Sequence, residues 1–171
     1  YIASVLASWA ERYLPESETA EVAASDALAD GHVRVRKNGL GPFGQDIWAS
    51  QHLFQADEPE TVGGLDAGPN PYDLLLGGLG ACTSMTLRMY AERKKWPLKR
   101  VSVTLNHTKV HAEDCEECES TLGKIDIIDR EIILEGDLDD AQRKKLMDIA
   151  ERCPVHQTLT SENVIRDRLG D

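Results

Sequence analysis

Two of the four cysteines in this chain stand in settings that suit thiol chemistry. Cys82 ends a stretch rich in leucine and glycine, and Cys153 directly precedes Pro154. Two thiols that are distant in sequence and close in the fold can share redox work, because one sulfur attacks an oxidant and the other then joins it in a disulfide. We therefore expect the Cα atoms of Cys82 and Cys153 to lie less than about 7 Å apart.

The helix that carries Cys82 is predicted to be central. Apolar or small residues recur every three or four positions along it, which is typical of a buried stripe: Leu75, Gly78, Cys82, Met85 and Met89. The side chains of Leu75, Met85 and Met89 are expected to line an apolar pocket, with Tyr72 and His156 as its polar members. Burial alone raises the pKa of a thiol, so a reactive Cys82 needs a cation from another element. Arg34 and Arg36 are the candidates; the alternative is that Cys82 is a small buried hydrophobe.

Cys153 is predicted to lie at a helix N-terminus, because proline is favoured at the first helical position. The free N–H groups and the dipole at that end favour a thiolate. Arg152 is adjacent, and His156 lies three residues further on. The alternatives are a buried capping residue at Cys153 and a packing or capping role for His156.

The predicted order of elements is ββα-ββ-αα-β, an α+β arrangement with strands in antiparallel hairpins. The strands are expected at residues 32–37, 45–56, 100–112, 124–134 and 164–169. The helices are expected at residues 71–95, from Asp137 or Asp139 to about Arg152, and from Pro154 onward. Gly77, Gly78 and Gly80 each destabilise the first of these helices by about 0.5–1 kcal/mol relative to alanine. We therefore expect another element to approach that helix closely.

Composition limits the possible functions. The net charge of −11 argues against a nucleic-acid surface, and no apolar run reaches the ~20 residues of a membrane span. Four cysteines are few for a secreted disulfide framework, so we expect a cytoplasmic protein. Residues 1–14 are predicted to form an amphipathic helix, residues 15–30 an acidic linker, and residues 31–171 the main domain. We predict no cofactor.

The two cysteine motifs together resemble the OsmC/Ohr family, the osmotically induced and organic-hydroperoxide-resistance proteins. The resemblance rests on Asn70-Pro71, on the segment Gly80-Ala81-Cys82-Thr83-Ser84-Met85 and on Cys153-Pro154-Val155, and it extends over about residues 31–170. It implies an intertwined homodimer in which antiparallel sheets wrap around two long central helices. It also implies a thiol peroxidase of the oxidative-stress response, in which Cys82 attacks an organic hydroperoxide, Cys153 resolves the sulfenic acid and a thiol restores the pair.

One position departs from the family pattern. In peroxidases of the family a glutamate follows Asn-Pro and holds an arginine that activates the thiolate, whereas Tyr72 stands here. A phenol cannot form that ion pair at neutral pH. Asp73 and Arg36 are the candidates for the two roles. With tyrosine at this position, the chain resembles a divergent branch of the family.

Residues 1–9 resemble the end of a hydrolase domain in proteins that fuse an α/β hydrolase to an OsmC-like domain. Residues 1–14 would then be the last helix of such a hydrolase. This suggests an alternative function, a catalytically weak ligand-binding or regulatory domain attached to a hydrolase.

A second cysteine pair, Cys115 and Cys118, has the spacing of zinc sites. His107 and His111 lie upstream, and with the two thiols they would complete a tetrahedral ligand set. The alternatives are an exposed acidic loop and a surface disulfide. A redox role is disfavoured, because the surrounding carboxylates raise the pKa of both thiols.

Overall fold

A computed structural model of the chain describes residues 28–111 and 123–170, which fall into two compact units. The described part of the first unit covers residues 28–70, and that of the second covers residues 71–170. The predicted helix at 1–14, nearly all of the predicted linker at 15–30 and the pair Cys115 and Cys118 lie outside the described residues.

The first unit contains an antiparallel three-stranded sheet in the order β1-β2-β3: Val33–Lys37, Gln45–Ala49 and His52–Ala56. The prediction of one continuous strand over 45–56 was wrong. Ser50 adopts a left-handed conformation with φ 54°, so the chain reverses there and two short strands pair. A short 3-10 helix follows at Glu60–Val62.

The described part of the second unit contains three helices and a long hairpin. In chain order its elements are α1 (Pro71–Lys94), β4 (Leu98–His111), β5 (Lys124–Gly136), α2 (Asp140–Ala150) and α3 (Pro154–Leu159). β4 and β5 pair antiparallel along their length, which confirms the predicted hairpin. No described helix is long and apolar enough to cross a membrane.

One prediction about the second unit needs correction. The expected strand at 164–169 was wrong, because residues 162–170 adopt no regular secondary structure and are exposed. The two longest described helices of this unit are α1, with 24 residues, and α2, with 11.

Side-chain hydrogen bonds at Asp139 and Gln142 determine where α2 begins. The carboxylate of Asp139 accepts a hydrogen bond from the backbone N–H of Gln142, and the Gln142 side chain accepts one from the backbone N–H of Asp139. This reciprocal pair satisfies two N–H groups that a helix start leaves without partners.

The core of the second unit lies where α1 packs on the hairpin and on α2. Leu87 of α1 and Leu146 of α2 are fully buried. The other buried members of this cluster are Ala91, Leu98, Leu138, Ile149 and Ala150.

The prediction of which face of α1 is buried was wrong for the single chain. Met85 is 64% exposed, Met89 is 70% exposed and Leu75 is 39% exposed. The buried residues of α1 are Leu79, Gly80, Thr83, Leu87 and Ala91, on a neighbouring face.

One of the three α1 glycines explains how that neighbouring face packs. A Cβ atom on Gly80 would lie 2.9 Å from Cδ1 of Leu105 on β4, so glycine permits the close approach of helix and hairpin. Gly77 and Gly78 have no such neighbour within 4 Å. The expectation of close packing is therefore confirmed at Gly80 only.

Candidate redox site

Cys153 caps α3 and is fully buried. Its sulfur accepts a hydrogen bond from the backbone N–H of His156 at 3.3 Å, and it lies 3.6 Å from Oγ1 of Thr83. The Cys82 side chain is close enough to lower the pKa of the Cys153 thiol. The fold therefore brings together the two cysteines that the sequence singled out, and both are free thiols.

The cation at this site is Arg130 of β5, which the sequence analysis missed. Its Nη1 donates to Oγ1 of Thr83 at 2.9 Å and to the backbone oxygen of Ala150 at 3.3 Å. The alternation of more and less exposed residues along β5 indicates a role for Arg130, because this residue occupies a half-buried position between the partly buried Ile128 and Ile132. A charged side chain on the apolar side of a strand is expected to have a specific partner.

Opposing effects act on the Cys153 thiol. Burial raises its pKa, but hydrogen bonds from the His156 N–H, Thr83 and Cys82 lower it, as does the charge of Arg130. The net pKa of Cys153 lies below its ordinary value. The site therefore favours a thiolate at Cys153, as expected for a thiol that is hydrogen-bonded in its charged form.

Thr83 connects the cation to the sulfur. Its single hydroxyl proton reaches either the Leu79 carbonyl oxygen at 2.8 Å or the sulfur of Cys153. When Cys153 is a thiol, the S–H can donate to Thr83; when Cys153 is a thiolate, the Thr83 hydroxyl can turn and donate to the sulfur. Arg130 donates to the same oxygen and polarises the hydroxyl in either orientation.

Two recesses flank the cysteine pair within the second unit. A cavity of about 350 Å³ combines apolar walls with polar groups and is lined by Leu79, Asp126, Ile128, Arg130, His156, Leu159 and Thr160. A groove of about 590 Å³ runs along α1 and α2 and is lined by Thr86, Met89, Tyr90, Arg93, Lys145, Ile149, Arg152 and Pro154. The side chain of Cys82 is half-buried, whereas Cys153 is closed to solvent.

Tyr72 makes a different contact from the expected carboxylate. Its ring stacks on His107 of β4 with centroids 4.3 Å apart and planes 12° from parallel. Nε2 of His107 lies 2.8 Å from Oδ1 of Asp126, and Nζ of Lys109 lies 3.2 Å from the same oxygen. Hydrogen bonds from His107 and Lys109 hold the pKa of Asp126 below its usual value.

The metal hypothesis gains no support from the described residues. His107 is engaged with Asp126 and Tyr72. Within residues 28–111 and 123–170, no group of three or more His, Cys, Asp or Glu side chains could hold a metal ion.

The remaining candidate residues lie in several places. Arg36 lies in the first unit, where its guanidinium is 5.2 Å from the ring centroid of Trp48. Asp73 lines a shallow groove between α1 and β4. Catalytic roles for Arg36 and Asp73 stay predictions.

Comparison with known proteins decides the family. The family model described as OsmC-like protein matches residues 63–166, more than half of the chain. The chain belongs to the OsmC-like family. A comparison with curated proteins gave no match.

Solved structures share the OsmC-like fold. The OsmC-like protein of Mycoplasma pneumoniae has a TM-score of 0.57 and 21% identity, over 75% of this chain and 85% of that one. The organic hydroperoxide resistance protein OsmC of Legionella pneumophila has a TM-score of 0.56 and 20% identity, over 79% and 92%. An organic hydroperoxide resistance protein of Elizabethkingia anophelis has a TM-score of 0.57 and 17% identity, over 78% and 89%. These likenesses confirm the predicted α+β, OsmC-like fold.

Proposed function

We propose that this protein is a thiol peroxidase that reduces organic hydroperoxides in the oxidative-stress response. The contact between Cys82 and Cys153, with Cys153 stabilised as a thiolate, is the observation that carries the proposal. Membership of the OsmC-like family and the names of two structural neighbours support it.

Accessibility and charge assign different roles to the two sulfurs. Cys82 is the attacking residue, because its side chain is half-buried whereas Cys153 is fully buried. The Cys153 thiolate accepts the proton of the Cys82 thiol through their hydrogen bond. The Cys82 thiolate then attacks a peroxide oxygen and the O–O bond breaks. Cys82 becomes a sulfenic acid. The departing alkoxide takes the proton from the Cys153 thiol and leaves as the alcohol, which restores the Cys153 thiolate.

Resolution forms the disulfide. The Cys153 thiolate attacks the sulfur of the Cys82 sulfenic acid, and hydroxide leaves as water after taking a proton. One hydroperoxide and two thiols thus become an alcohol, water and one disulfide. Arg130 and Thr83 lower the pKa of Cys153 and so keep its thiolate available.

The cavity beside Arg130 and His156 is the proposed entry for the hydroperoxide. Leu79, Ile128 and Leu159 supply apolar walls for an organic group. Leu79 lies one helical turn before Cys82, which supports an entry close to the attacking sulfur. A neutral organic molecule with one polar end matches such a lining.

A homodimer and a cytoplasmic location are part of the proposal. Exposed apolar side chains on α1, such as Met85, support a homodimer, because a second chain would remove them from water. Free thiols at the site suit a reducing compartment. Sedimentation equilibrium tests the dimer, and a monomer at micromolar concentration would contradict it.

Peroxide consumption tests the catalytic proposal. Purified protein is mixed with cumene hydroperoxide and dithiothreitol, and the remaining peroxide is measured. Cys82→Ser should abolish consumption. In a parallel experiment without dithiothreitol, Cys153→Ser should form a sulfenic acid at Cys82 that dimedone traps, although loss of the Cys153 thiolate should slow its formation. The matched control, Cys115→Ser with Cys118→Ser, should retain the parent rate.

Two other results would contradict the peroxidase proposal. A Cys82→Ser protein that consumes peroxide as fast as the parent refutes the proposal. A parent protein that consumes none but retains a small molecule in native mass spectrometry favours the ligand-binding alternative.

A further inference from the structure

The groove between α1 and α2 is positively charged on an otherwise acidic protein. Three of its lining side chains are cations, Arg93, Lys145 and Arg152, and none is an acid. Lys145 also pairs with Asp148 at 3.6 Å, whereas Arg93 and Arg152 form no salt bridge with a described residue. The whole chain carries −11, so an anion would be repelled elsewhere on the surface.

The groove adjoins the cysteine pair. Arg152 and Pro154 flank Cys153 in sequence, and both line the groove. Thr86, another lining residue, lies one helical turn after Cys82 on the same side of α1. The groove therefore begins within one helical turn of Cys82.

We infer that this groove binds an anionic low-molecular-weight thiol, which reduces the Cys82–Cys153 disulfide. The inference rests on the proposed function and names the class of reductant. A neutral hydroperoxide has no net charge for the three cations to attract. An anionic thiol that reacts as its thiolate is favoured in two ways. The cations lower the pKa of its thiol, and they attract its other negative groups.

The chemistry of the disulfide agrees with an attack of the reductant on Cys82 rather than on Cys153. The incoming thiolate attacks Cys82, a mixed disulfide forms there, and Cys153 leaves as a thiolate. A leaving thiol of low pKa departs faster, and the site lowers the pKa of Cys153. A second thiolate then attacks the reductant's sulfur in the mixed disulfide, which releases the oxidised reductant and the Cys82 thiolate.

The reduction step can be measured without any peroxide. The protein is oxidised with diamide, and formation of the Cys82–Cys153 bond is confirmed by peptide mass mapping. Reduction is then followed in a rapid-mixing experiment with 3-mercaptopropionate, an anion, and with 2-mercaptoethanol, a neutral thiol. Each rate constant is expressed per thiolate, so that the intrinsic acidity of the two thiols does not decide the comparison.

We expect the parent protein to react about 10-fold faster with the anionic thiolate at low salt, and the preference should shrink as salt is added. The variant Arg93→Gln, Lys145→Gln, Arg152→Gln should lose the preference and keep its rate with 2-mercaptoethanol. Lys144→Gln is the matched control, because Lys144 is an exposed neighbour on α2 that does not line the groove. It should retain the preference.

Two outcomes separate this inference from the proposed function. If the bond forms but the parent shows no preference, or the triple variant keeps it, the inference is wrong and the peroxidase proposal stands. If diamide does not join Cys82 to Cys153, both are overturned.

Discussion

Replacing Thr83 by valine tests how the protein holds Cys153 as a thiolate. Thr83 is fully buried, and its hydroxyl lies between the guanidinium of Arg130 and the sulfur of Cys153. Valine has the same branching at Cβ, so the helix conformation and the packing of α1 change little. The principal loss is the hydrogen bond to the charged sulfur, while Arg130 keeps its bond to the Ala150 carbonyl.

The size of the effect follows from that hydrogen bond. A hydrogen bond to a charged group contributes about 1.5–3 kcal/mol, and about 1.4 kcal/mol is a factor of ten. The acid dissociation constant of the Cys153 thiol should therefore fall about 10- to 100-fold in Thr83→Val. Because the remaining thiolate is a better nucleophile, the rate of disulfide formation should fall less, by at most about 3- to 15-fold.

The assay is a pH titration of the Cys153 Cβ chemical shift in protein with labelled cysteine. Thr83→Val should titrate at higher pH than the parent, and Thr83→Ser, which keeps a hydroxyl, should titrate close to it. Disulfide formation with diamide, followed by alkylation and mass measurement, gives the rate. A Thr83→Val protein that titrates with the parent would refute the role assigned to this hydroxyl.

The same variant should change how stability depends on pH. The folded-state pKa of Cys153 lies below the unfolded-state value, so between the two values the unfolded chain binds more protons. The free energy of unfolding of the parent therefore rises with pH across this window. The contribution of Cys153 to that free energy is lost as pH falls through its folded-state pKa. Urea unfolding of reduced protein should show a smaller rise in Thr83→Val.

Three further predictions concern the fold. Leu87→Ala should lower the free energy of unfolding by about 2–5 kcal/mol in urea titrations, because Leu87 is fully buried; a loss below about 1 kcal/mol would contradict the assigned core. Asp139→Ala should cost about 0.5–2 kcal/mol by removing the cap of α2, whereas an exposed control, Asp140→Ala, should cost less. Burial raises the pKa of Asp57, but hydrogen bonds from the backbone N–H groups of Glu58, Leu65 and Ala67 together hold it below its usual value. Its stabilising contribution is present above the ordinary carboxyl pKa and is lost as pH falls through the lowered one, so thermal unfolding of Asp57→Asn should depend less on acid pH than the parent's does.

The cation at the redox site shows where sequence analysis stops. The sequence directed attention to Arg34 and Arg36 on the first predicted strand, whose roles stay predictions. The structure shows Arg130 at Thr83, 47 positions further along the chain. Only the pairing of β4 with β5 and the packing of α1 bring that guanidinium to the cysteines, and neither can be read from local sequence.

Local rules determined much of this protein from the sequence alone. Pro71 and Pro154 begin helices and Asp139 caps one, because these residues satisfy or remove backbone N–H groups within a few positions. The cysteine motifs indicated the family. The tertiary structure decided which face of α1 is buried and which groups surround Cys153. Those features depend on contacts between residues such as Gly80 and Leu105 or Thr83 and Arg130, which are distant in sequence and meet only when the hairpin packs on the helix.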